Sequence, residues 1–115
     1  MIKLKNDQRV ELLEKPHDGE GVIEIKHIVE AGNHNNKHLK TMARITLKPG
    51  DVVGYHTHEG VTEVICILEG RALYNDGTER ILEPGDAAVV YEKDGQSIRC
   101  AEEGPLTYLA VILLP

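Results

Sequence analysis

Turn-forming residues cut this chain into pieces too short for stable helices. Lys48-Pro49-Gly50-Asp51, Asn75-Asp76-Gly77-Thr78, Pro84-Gly85-Asp86 and Lys93-Asp94-Gly95 each carry the Gly, Pro, Asn or Asp that a tight reversal needs. The segments between them are short and rich in Val, Ile, Leu and Thr. That alternation of brief apolar runs and turns is the pattern of an all-β sandwich or barrel. It predicts strands over 22–29, 39–47, 71–74, 79–82, 87–91, 96–100 and 106–114. Residues 16–21 and 31–37 read as loops, being rich in Gly, Asp and Asn. A short first helix over Arg9–Glu14 is the one helical expectation.

Within this pattern the stretch from Gly50 to Gly70 carries chemistry. His56 and His58 stand two apart, with Glu63 five residues further on. On a strand, residues i and i+2 point to the same side, so both imidazoles enter one space. A reversal at Glu59-Gly60 brings Glu63 back beside them. Two neutral nitrogens and one carboxylate oxygen converging in this way form a divalent-metal site with coordination positions left open. A His-x-His pair alone is weak, because it also suits a polar strand face. With the two bracketing glycines, five positions agree, on the order of 10⁻⁷ per starting position by chance.

These residues resemble the first motif of the cupin superfamily: Gly50, His56, His58, Glu63 and Gly70, at matching intervals. The run Leu82-Glu83-Pro84-Gly85-Asp86 is similar to the turn that opens the second motif. The resemblance covers about residues 44–113. It implies a double-stranded β-helix (jelly-roll) barrel with the metal held inside, and a homodimer. It also implies one domain over 1–115, with the cupin core at about 40–113 and additional strands in 1–39. The second motif departs from the family at its fourth ligand, where a histidine is usual and this chain has Gln96. Cys100 stands where an asparagine is common. Gln96 can bind the ion through its carbonyl oxygen, a neutral hard donor. Alternatively it stands off and hydrogen-bonds a metal-bound water or the ligand. The expected metal set is therefore His56, His58, Glu63 and Gln96, around one Fe, Mn, Ni, Co or Zn ion per chain.

Composition narrows the partners. A net charge of −6 disfavours nucleic acid and anionic membrane surfaces. No apolar run approaches the length of a signal sequence or a spanning helix. Two cysteines in such a chain suggest reduced thiols and a cytoplasmic location. With no Phe or Trp, the core must be built from aliphatic side chains.

Face parity adds a further expectation. If Glu63 points inward, so do Ile65 and Ile67, while Val64, Cys66 and Leu68 point outward and are apolar too. A strand apolar on both faces must be covered on both. Either the N-terminal strands fold over that outer face or a second subunit does, and the homodimer is the favoured answer. Other residues have two readings each. Arg44 either clamps a carboxylate in the pocket or forms a surface ion pair. His34 and His38 are solvated loop residues. Tyr74 and Tyr91 pack or border the cavity mouth, and Tyr55 turns away from the metal.

The residues thus support a metal-dependent enzyme of oxygenase, isomerase or lyase type on a small polar or carboxylate substrate. The alternative is a binding module that holds a small molecule without turnover, with a pure scaffold as a third reading. No nucleophile elbow, phosphate loop or separate acid/base pair stands beside the metal motif.

Overall fold

A computed structural model describes residues 1–101 and 103–115. The described residues form ten strands: β1 (Val10–Glu14), β2 (Val22–Val29), β3 (Leu39–Leu47), β4 (Val52–Thr57), β5 (Thr62–Glu69), β6 (Ala72–Asn75), β7 (Glu79–Leu82), β8 (Ala87–Val90), β9 (Gly95–Cys100) and β10 (Leu106–Leu113). They make two antiparallel sheets. One has six strands in the order β1-β2-β3-β10-β5-β8, and the other has four in the order β4-β9-β6-β7. This is the all-β architecture expected from the turn pattern, and the double-stranded β-helix that the family resemblance implies. No helix among the described residues is long and apolar enough to cross a membrane.

The core lies between the two sheets and is mainly aliphatic, but Tyr74 and Tyr108 are also buried in it, so the expectation of aliphatic side chains alone needs correction. Leu47, Ile65, Ile67, Ile98 and Leu106 are its largest fully buried side chains. Parity on β5 follows the expectation: Glu63, Ile65 and Ile67 are buried, while Val64 and Cys66 are half-buried and Leu68 is exposed. Register on β10 continues the outer face, setting Leu109 opposite Cys66 and Val111 opposite Val64. Val89 of β8 lies opposite Val64 on the other side. The N-terminal strands do not cover this face. β2 pairs with β3 and β1 with β2, so they lengthen the sheet at its far edge.

Two further readings need correction. The helix over Arg9–Glu14 is strand β1, paired in full register with β2 from Val10↔Lys26 to Glu14↔Val22. A lone turn or two of helix is unstable without packing, and a waiting strand edge satisfies the same backbone groups. β2 is consequently an inner strand, paired with β1 on one side and β3 on the other. Arg44 does not enter the pocket. Ala43, Ile45 and Leu47 take the inward positions of β3, which leaves Arg44 on the opposite face, across from Lys26 and Leu109.

Candidate metal centre

Each site residue is delivered by a different local device. β4 and β9 pair Val53 with Ile98 and His56 with Gln96, so three steps on β4 match two on β9. This bulge at Gly54-Tyr55 shifts the side-chain alternation by one. Val53 and His56 can then both face inward although they are three apart, and Tyr55 is expelled to 53% exposure. His58 follows β4 on the same side as His56. Its backbone is pinned by His58 N–H donating to the Asp94 carbonyl at 3.0 Å and Lys93 N–H donating to the His58 carbonyl at 2.6 Å. Gly60, at φ +70°, makes the reversal, and β5 returns Glu63 from the six-stranded sheet. The site therefore bridges the two sheets.

The donor atoms of His56, His58 and Glu63 lie within 4.8 Å of one another. His56 Nδ1–H donates to the Gly54 carbonyl at 2.8 Å. That bond fixes the tautomer and leaves Nε2 with its lone pair for a ligand. His58 Nε2 and Glu63 Oε1 are 2.8 Å apart, and His58 Nδ1 is buried with no hydrogen-bond partner. Glu63 and His58 are 8% and 6% exposed. A carboxylate this deep needs a cation nearby, and no lysine or arginine among the described residues pairs with it. A divalent ion fits this donor set in both charge and chemistry.

Gln96 and Tyr74 complete the buried network. Gln96 Nε2–H donates to Glu63 Oε1 at 2.7 Å, and the Tyr74 hydroxyl donates to Gln96 Oε1 at 2.6 Å. Burial pushes the Tyr74 phenol well above its ordinary range, with the nearby acids Asp76 and Glu63 adding to the shift. Tyr74 therefore stays protonated and donates. The expected metal residues His56, His58, Glu63 and Gln96 are thus brought together. His34, half-buried, and His38, exposed, lie in the loop before β3 and do not line the cavity. Cys100 is not among the cavity-lining residues. Tyr91 is exposed, whereas Tyr74 sits beneath the site and not at its mouth.

Sequence reasoning missed His17. Its ring stacks on His56, with centroids 3.6 Å apart and planes within 8°. It sits in a 3₁₀ turn, Pro16–Asp18, locked to β4 by a two-way backbone bridge between Glu20 and Val52. Lys15, His17 and Asp18 all adopt positive φ, which costs energy for residues with a Cβ. The turn also presses so close to β4 that a Cβ on Gly54 would collide with the His17 carbonyl. Burial, then the neighbouring His56 and His58, hold the His17 imidazole below its ordinary pKa, so it is neutral at pH 7.

These residues open on a cavity of about 480 Å³ between the sheets. Residues 43–112 match the Cupin domain family, and the chain belongs to it. An oxalate-binding protein of Thermotoga maritima is 30% identical over 115 residues, covering 99% of this chain and 94% of that protein. A solved structure from the same organism, described as a predicted oxalate decarboxylase, covers 100% of both chains at 29% identity with a TM-score of 0.92. KdgF from Halomonas sp. shares the fold at 17% identity, with a TM-score of 0.79 over 100% of this chain and 94% of that one.

Proposed function

We propose that this cupin holds one divalent transition-metal ion on His56, His58 and Glu63 and uses it to bind a small carboxylate-bearing molecule. The observation that carries the reading is the convergence of three buried donors, within 4.8 Å, at the wall of a ligand-sized cavity. The likeness to an oxalate-binding protein over nearly the whole chain supports a carboxylate ligand. The bound ion would act as a Lewis acid on the ligand's carboxylate or carbonyl oxygen. The protein's own groups do the rest. Gln96, held by Tyr74, orients Glu63, and this arrangement favours Gln96 as a positioning residue over Gln96 as a fourth donor. His17 fixes the plane of His56 by stacking and presents a neutral imidazole beside the site. Such a group can accept a proton, which favours a metal-dependent enzyme over a binding module.

The outer face of β5, β8 and β10 supports a homodimer. Leu68 and Val89 are 45% and 47% exposed there, beside Val64, Leu109 and Val111, and no segment among the described residues covers them. Residues 1–115 are read as one domain, because the N-terminal strands contribute Leu13, His17, Ile23 and Ile25 to the same cavity. The reduced-thiol reading of the cysteines supports a cytoplasmic protein.

The test is metal analysis followed by turnover on the loaded protein. One ion per chain, with carbon dioxide release or oxygen consumption from oxalate or a 2-oxo acid, supports the enzyme. Saturable binding of these acids without turnover supports the binding module. Absence of metal uptake from any of Fe(II), Mn(II), Ni(II), Co(II) and Zn(II) refutes both.

A further inference from the structure

The cavity has two unlike walls. His56 and Gln96 stand on the four-stranded sheet, with Glu63 at the β5 position of the other. Across the six-stranded sheet the lining is mostly aliphatic, with Lys40, Thr41 and Tyr108 among it. Ile112 of β10 lies directly opposite Glu63 in register. On β3 Ile112 faces Thr41; four positions further along β10, Tyr108 pairs with Ile45 of β3, Ile45 pairs with Ile25 of β2, and beside them Ile23 pairs with Leu13 of β1. Leu13, Ile23 and Ile25 lie outside the family-matched segment 43–112, so the N-terminal strands of this chain build this wall.

Oxalate suits such a cavity poorly. It has two charges and no apolar surface. Lys40 is the cavity's one lysine or arginine among the described lining residues, and it lies exposed. At about 30 Å³ per water, 480 Å³ corresponds to roughly sixteen waters. A six-atom dianion would displace only a few of them and leave the aliphatic wall wet.

The geometry points to a monocarboxylate with an aliphatic body as the ligand class: an oxygen-bearing head at the metal residues and a chain of several carbons in the cavity that Ile112, Ile45, Ile25 and Leu13 line. This rests on the metal-and-carboxylate reading above and specifies its substrate. Each methylene that moves from water onto the wall should tighten binding about fourfold, the ratio set by burying one CH₂.

The experiment uses Co(II)-loaded protein, whose visible absorption reports first the uptake of the ion and then the binding of a ligand. Pyruvate, 2-oxobutanoate, 2-oxopentanoate and 2-oxohexanoate are titrated in turn. The expected result is a Kd that falls about fourfold per carbon, roughly 60-fold across the series. Leu13→Ser, on an edge strand where folding should survive, and Ile25→Ser should flatten that slope while Co(II) uptake stays as in the parent. A Kd constant within twofold along the series, or an unchanged slope in both variants, overturns the proposal while leaving the metal reading intact. No Co(II) uptake at all overturns both.

Discussion

Replacing Tyr74 with Phe removes one oxygen atom, and the structure says what that atom supports. The Tyr74 hydroxyl, on a residue 3% exposed, donates to Gln96 Oε1 at 2.6 Å. Gln96 is itself 3% exposed, so its carbonyl would be left in the interior without this donor. An orphaned buried acceptor costs about 1–3 kcal/mol. A domain of this length has an unfolding entropy of about 0.24 kcal/mol/K, so the loss corresponds to a Tm drop of about 4–12 °C. Gln96→Leu should be costly for the same reason, since it strips a donor from the Glu63 carboxylate and leaves the Tyr74 hydroxyl alone. The double variant Tyr74→Phe/Gln96→Leu removes both partners, so its loss should be smaller than the sum of the singles by about 1 kcal/mol or more. Scanning calorimetry on the metal-free proteins reads all four corners of this cycle. A Tyr74→Phe variant within about 1 °C of the parent, or an additive double variant, would refute the relay from Tyr74 through Gln96 to Glu63.

Other consequences can be checked separately. A Cβ at position 54 collides with the His17 carbonyl, so Gly54→Ala should cost about 1–3 kcal/mol in urea unfolding and move the His17 ring resonances in NMR spectra. Unperturbed resonances would mean that the turn is not seated on β4. The folded state holds His17 below its ordinary value of 6.5, so the unfolded chain binds the proton more readily. His17 therefore contributes a loss of stability as pH falls below about 6.5, and none above it. In the metal-free protein, His17→Gln should make the stability curve shallower on that acid side; an unchanged slope contradicts this environment for His17. Leu68→Glu with Val89→Glu should convert a two-chain particle to a one-chain particle in light scattering. Equal masses for parent and variant would refute the proposed interface.

How much was legible in advance can be traced residue by residue. The turns were readable because each uses side chains that favour reversal, and they fixed most strand boundaries to within a residue. Glu63 and its inward partners Ile65 and Ile67 followed from period-two alternation alone. β1 was not legible, since Val10–Glu14 has no turn signal and becomes a strand only by pairing with β2. The bulge at Gly54-Tyr55 depends on a mismatch between two strands that neither shows by itself. Tyr74 alternates with Leu73 and shares a face with the buried Ala72, so parity could have placed it inward. His17 had no signal of any kind. Its contact with His56 arises from positive φ values and a close backbone approach across 39 positions of sequence.

The most direct test of the metal centre is equilibrium dialysis of the parent, His58→Ala and Glu63→Ala against a divalent ion such as Ni(II), with the bound ion counted by mass spectrometry. One ion per parent chain and almost none in either variant is the predicted outcome. Retention of one tightly held ion by both variants would place the binding elsewhere and contradict the account.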